Sequence, residues 1–148
     1  MGISNNMLLK HFREAVLNPI PWREIQKAPC QEIIIGENID INSILQIPTH
    51  SKHDSGAYIT AGLVIARNPP SGEQNVSINR LQINGPDTLR ILILPRDLNK
   101  FFEMAEDRDQ YLPVAISIGS DPMSLLASQA ILPLNTCLLY TSDAADDC

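Results

Sequence analysis

The chain has 148 residues, room for one domain with a single core. Its 11 Lys and Arg against 17 Asp and Glu leave a net charge of −6, which argues against a nucleic-acid-binding surface. Hydrophobic residues at 44% and charged residues at 19% suit a packed domain rather than a disordered tail, and the longest apolar runs, such as Ile91–Leu94, fall far short of the ~20 residues of a bilayer span.

From Asn5 to Leu17 the apolar residues Leu8, Leu9, Phe12, Ala15 and Val16 recur at helical spacing, which predicts a first helix ended by Asn18-Pro19-Ile20-Pro21. No basic cluster and apolar segment precede it, so no secretory signal is expected and the cytoplasm is the default compartment. A linker to about Pro29 leads to a β-branched run, Gln31 to Ile35, which predicts a strand closed by Gly36-Glu-Asn38; the stretch to His53 reads as mostly irregular. Tyr58 to Ala66 predicts a buried strand, Asn68-Pro-Pro-Ser-Gly72 a turn, and Asn75 to Ile83 its hairpin partner. Asn84-Gly-Pro-Asp87 turns the chain into a third strand, Leu89 to Leu94. A helix through Phe101, Phe102, Met104 and Ala105 follows, then a short strand from Pro113 to Ile118. A last helix is capped by Ser120 or Asp121, with Pro122 at its first position. Consecutive strands with short connections and flanking helices predict an α+β fold on an antiparallel sheet or small barrel.

The final residues, Cys137 to Cys148, lose all periodicity and resemble translated sequencing-adapter DNA; an ordinary frayed terminus is the alternative. Without this tail, residues 1–136 carry 11 basic and 14 acidic side chains, a net charge of −3, and Cys30 is the one cysteine left. The three cysteines show no metal-binding or disulfide spacing, and reduced thiols are expected.

Along Asn75-Val-Ser-Ile-Asn-Arg-Leu-Gln-Ile83 the apolar positions are even up to Ile78 and odd from Leu81. A strict two-residue period cannot give this pattern; if Val76, Ile78, Leu81 and Ile83 all face the core, a β-bulge is expected near Asn79-Arg80, which would turn Asn75, Ser77, Arg80 and Gln82 to one face suited to an anionic ligand. A solvated polar side of an edge strand is the alternative.

Several segments together resemble the UbiD family of decarboxylases, which use prenylated flavin mononucleotide: Asn18-Pro-Ile-Pro21, Ala28-Pro-Cys-Gln-Glu32, Ile47-Pro-Thr-His50, Tyr58-Ile-Thr-Ala-Gly-Leu63, Gln74-Asn-Val-Ser-Ile-Asn-Arg80 and Ile118 to Gln129. The resemblance runs from Ala15 to Pro133. It implies a split β-barrel of the flavin-reductase (FMN-binding) type with flanking helices, truncated: residues 1–28 a helix and linker, residues 29–136 the incomplete cofactor-binding region, residues 137–148 the adapter-like tail. It implies reversible, non-oxidative decarboxylation of an unsaturated or aromatic carboxylic acid by a parent carboxy-lyase, with the truncated chain inactive. By the same resemblance Asn75 binds a divalent metal, manganese or magnesium with potassium left open, and Ser77, Ile78, Asn79, Ser128 and Gln129 contact the cofactor. Arg80 is a cofactor contact as well and orients the substrate carboxylate, and Thr60 lies in the substrate pocket. Gln129 stands where some family members have serine.

Two departures from the family pattern appear. Leu94-Pro-Arg-Asp-Leu98 has Asp97 where the family usually has a metal-binding histidine, so Asp97 is either a metal ligand or a helix cap. The family's remaining metal-binding glutamate and its acid-base glutamates lie beyond the point where the tail begins. His50 and His53 have no catalytic role by resemblance and read as solvated. The expected partners are a small carboxylic acid and further copies of the full-length chain, with no nucleic acid and no membrane span. The competing functions are a flavin- or phosphate-binding module without chemistry and a structural domain.

Overall fold

A computed structural model describes residues 5–18 and 25–129 of the chain. The order of elements is α1 (Asn5–Leu17), a 3-10 turn (Pro29–Gln31), α2 (Ile41–Leu45), β1 (Tyr58–Arg67), β2 (Gln74–Ile83), β3 (Leu89–Ile91), α3 (Asp97–Glu106), β4 (Val114–Ser117) and α4 (Pro122–Ala127). The residues from Ala130 onward, including the Cys137–Cys148 tail expected to be adapter-like, and Pro19 to Glu24 of the expected linker lie outside the described residues.

The strands make one antiparallel sheet in the order β3-β2-β1-β4. β1, β2 and β3 form a meander, and α3 carries the chain from one edge strand to the other. The sheet is open, since β3 and β4 are not paired with each other. The β1–β2 turn is closed by Asn68 N–H to the Glu73 carbonyl and by Gly72 N–H to the Asn68 carbonyl, both at 2.8 Å. Gly72 has φ +76°, a left-handed conformation that a side chain resists.

Each face of the sheet has its own apolar cluster. On one face Ile59, Val64, Ala66 and Leu81 pack against Leu98 and Phe101 of α3, joined by the part-buried Ile83, Leu89, Ile91 and Ile116. On the other, Leu63 and Val76 pack with Ile65 and with Leu125 of α4. Asp121 caps α4, its Oδ1 accepting from the Met123 and Ser124 N–H groups at 2.8 and 3.1 Å, with Pro122 in the first helical position.

Several expectations are corrected. Gln31 to Ile35 is a 3-10 turn followed by irregular chain, not a strand. Ile33 and Ile34 are 80% and 81% exposed, and a β-branched run without a pairing partner forms no ladder. The stretch to His53 is mostly irregular, as expected, and holds one short helix, α2, capped by Asp40, whose Oδ1 accepts from Asn42 N–H at 3.2 Å. β3 is shorter than predicted and leaves the sheet after Ile91. α1 forms over the predicted residues, but most of its apolar stripe, including Leu8 and Leu9, stays exposed. Among the described residues, no helix is long and apolar enough to cross a membrane.

Candidate functional site

The β1–β2 register places the residues singled out from the sequence. Ile59 faces Leu81 and Gly62 faces Asn79, so Thr60 and Ala61 together oppose the single residue Arg80. A bulge therefore exists at the predicted place in the pairing, but its extra residue is in β1 and not in β2. β2 runs without interruption from Gln74 to Ile83 and keeps strict alternation. Asn75 pairs with Ala66, Ser77 with Val64 and Asn79 with Gly62, which puts these three on the α3 face. Val76, Ile78, Arg80 and Gln82 have the opposite parity and belong to the α4 face.

The expected common face for Asn75, Ser77, Arg80 and Gln82 is thus overturned. The physical reason is that both faces of the sheet are covered. Val76 belongs to one apolar cluster and Leu81 to the other, so the change of apolar phase marks a change of partner and not a break in the strand.

On the α3 face, Asn79 Nδ2 donates to Ser77 Oγ at 2.8 Å and to the Ser77 carbonyl at 3.1 Å. Asn75 is half-buried. Asp97 opens α3 but does not cap it, because the cap position is Arg96 and Asp97 lies within the first turn. Its Oδ1 takes the Lys100 ammonium at 3.1 Å, which gives the carboxylate a cation already in place. Among the described residues no group of three or more His, Cys, Asp or Glu side chains is arranged to hold a metal ion.

On the α4 face, Arg80 is exposed and the bulge sets Thr60 beside it, so these two candidates are brought together. The Arg80 Cζ lies 5.6 Å from the centre of the Tyr58 ring. Ser128 donates to the Leu125 carbonyl at 2.7 Å and Gln129 Nε2 reaches Ser128 Oγ at 3.3 Å, at the C-terminal end of α4. Ile78 is on this face too. The Asp121 carboxyl is held below its ordinary range, chiefly by the Ser124 hydroxyl bonded to Oδ2 at 2.5 Å.

One property of β2 bears on all these residues. β3 pairs only with Leu81, Gln82 and Ile83. Along Gln74 to Arg80 the edge away from β1 has no partner strand among the described residues. Side chains of both parities border that edge, and among the described residues no strand covers its main-chain groups. A separate apolar cavity of about 830 Å³ lies beside α3, lined by Leu81, Ile91, Ile93, Phe102, Leu112 and Ile116 among others.

The open sheet with α3 and α4 on its two faces is the fold of a segment of UbiD-class enzymes. The structure of HmfF from Pelotomaculum thermopropionicum in complex with prFMN superposes with a TM-score of 0.88 at 49% identity, over 94% of this chain and 33% of that one. The chain belongs to the UbiD family: the model of the 3-octaprenyl-4-hydroxybenzoate carboxy-lyase Rift-related domain matches residues 23–137. It is 43% identical over 93 residues to the anhydromevalonate phosphate decarboxylase of Methanothermobacter thermautotrophicus, covering 63% of this chain and 22% of that protein. It is 31% identical over 120 residues to the gallate decarboxylase of Lactiplantibacillus plantarum, covering 76% of this chain and 24% of that protein. The chain thus spans between about a fifth and a third of the length of these relatives.

The residue that sequence reasoning missed is Tyr58, whose ring sits against Arg80. Antiparallel pairing brings Tyr58 opposite Gln82 and so diagonal to Arg80, but that neighbourhood is visible only once the register is known.

Proposed function

We propose that this chain is the cofactor-binding part of a carboxy-lyase that removes carbon dioxide, reversibly and without oxidation, from an unsaturated or aromatic carboxylic acid with prenylated FMN. Residues 29–136 are then an incomplete split barrel of the flavin-reductase type, residues 1–28 a helix and linker, and residues 137–148 no part of the domain. The reading draws on the prFMN complex of HmfF and on the decarboxylases among the relatives.

The observation that carries it is the state of Arg80. It is exposed beside the Thr60–Ala61 bulge, and among the described residues no carboxylate, carbonyl or hydroxyl takes any of its N–H groups. A guanidinium with its whole fork free can hold a carboxylate through two parallel charge-assisted bonds and so fix the direction of the bond that breaks. Arg80 orients; it is not the acid, since its pKa lies far above the working range. The proton that replaces the carboxyl group comes from a residue outside those described. Thr60 adds a hydroxyl at the same end of the strand pair.

The donor set suits a flavin nucleotide lying along the unpaired edge of β2. From Asn75 to Arg80 the strand extends about 17 Å at ~3.3 Å per residue. An elongated ligand along that edge can meet Asn75 and Arg80 although the two point to opposite faces. Asn75, Ser77, Ile78, Asn79 and Arg80 would hold it there, with Ser128 and Gln129 as further contacts; bound, it supplies the electron sink that decarboxylation requires. The metal fits less well. Magnesium requires six oxygen ligands, Asn75 offers one amide oxygen, and Asp97 is already paired with Lys100. Asn75 would be one ligand in a set completed from outside the described residues.

Replacing Arg80 by Ala in the full-length enzyme tests the reading. Carbon dioxide release is expected to fall at least about 100-fold, while the remaining contacts keep most of the flavin absorbance of the purified protein. Unchanged turnover refutes it.

A further inference from the structure

Tyr58, Ser55 and Gln82 stand outside the roles given above, yet they form one connected group. Gln82 Nε2 donates to Ser55 Oγ at 2.9 Å and to the Ser55 carbonyl at 3.3 Å. Ser55 Oγ is in turn 2.9 Å from the Tyr58 hydroxyl. The phenol is thereby fixed at its oxygen, and the loop leading into β1 is clasped to the far end of β2. The same ring lies against the Arg80 guanidinium.

This arrangement solves a problem that a ligand-binding arginine poses. A long cation on an exposed strand position samples many rotamers, and the common way to restrain it, pairing with a carboxylate, uses up the N–H groups that a ligand needs. An aromatic face attracts the cation through its quadrupole and takes none of those donors. We propose that Tyr58 is a positioning residue: clasped by Ser55 and Gln82, its ring presents the Arg80 guanidinium in one orientation with its donors free for the substrate carboxylate. The inference rests on the reading of Arg80 as the carboxylate anchor. It also accounts for the placement of the bulge, which keeps Tyr58 and Gln82 in register at the end of the ladder while Thr60 and Ala61 widen the space opposite Arg80.

The test compares Tyr58→Leu, Tyr58→Phe and Arg80→Ala in the full-length enzyme. Tyr58→Leu is expected to raise KM for the carboxylate substrate about two- to fivefold, with a fall in kcat far smaller than that of Arg80→Ala, and to lower the NMR order parameter of the Arg80 Nε–H. Tyr58→Phe keeps the ring face and loses the hydroxyl clasp, and is expected to give an order parameter and a KM between those of Tyr58→Leu and the wild type. Unfolding midpoints of the two Tyr58 variants separate positioning from simple packing. If both lose the same stability and show the same KM, or if Tyr58→Leu leaves KM and Arg80 order unchanged, the inference is overturned. If Arg80→Ala itself leaves KM and turnover unchanged, the carboxylate-anchor reading falls instead.

Discussion

Gly62 follows the bulge in β1 and lies across from Asn79, and its lack of a side chain is a packing requirement. A Cβ at this position would sit 2.7 Å from Leu81 Cδ1, 0.7 Å short of the 3.4 Å at which ordinary contact begins, and 3.4 Å from Ile116 Cγ2. Leu81 is 1% exposed and packed in the α3 cluster, so its methyl can yield only by giving up those contacts and turning toward the cavity that it lines. Forcing an extra methyl into such a site costs about 1–3 kcal/mol, against about 0.4–1 kcal/mol recovered from the stiffer unfolded chain. Gly62→Ala is therefore expected to lose about 1 kcal/mol net and at most about 2.6 kcal/mol, the central value being a drop in Tm of roughly 2–4 °C at this chain length. Gly36→Ala is the internal control. Nothing lies within 4 Å of its added methyl, so only the unfolded-state effect remains and stability should rise by about 0.4–1 kcal/mol. Leu81→Val makes room for the methyl, so Gly62→Ala should cost less on that background. Urea or thermal unfolding reads all of these; a Gly62→Ala protein as stable as the parent refutes the packing argument.

Phe101→Ala empties the centre of the α3 cluster, where Phe101 is 1% exposed, and should cost about 3–5 kcal/mol in denaturant unfolding; a loss below 1 would mean that α3 is not seated on the sheet. Asp121→Ala removes the α4 cap and should cost about 0.5–2 kcal/mol near neutral pH. Because folding lowers the Asp121 pKa, that contribution is complete above the ordinary carboxylate range and disappears as pH falls through the lowered value. The gap between parent and variant should therefore close in acid, and a gap independent of pH would contradict the assignment. Ile34→Ser, at an 81% exposed position, should shift stability by less than ~0.5 kcal/mol, whereas a loss above 1 would show that the Ile33–Ile35 segment is buried in solution.

The elements that read correctly from the sequence are those whose signal is local. Asp121-Pro122 announces the start of α4 because cap and first-turn chemistry depend on adjacent residues alone, and Asn68 to Gly72 announces the hairpin for the same reason. The ordered motif segments, Gln74 to Arg80 among them, are legible as a family resemblance, and the match of the family model over residues 23–137 shows the family. The run Gln31 to Ile35 misled because β-branched composition says nothing about whether a partner strand is available.

What tertiary structure alone decided is which face each candidate occupies. β1 is apolar at nearly every position because it is covered on both sides, so its own change of phase between Ile59 and Val64 leaves no trace in the pattern. β2 shows a change of phase that its backbone never makes, because its two halves feed different clusters. A two-residue period reports burial and not direction, and with both faces buried only the register between strands can tell Asn75 from Arg80, or show that Tyr58 stands beside the arginine.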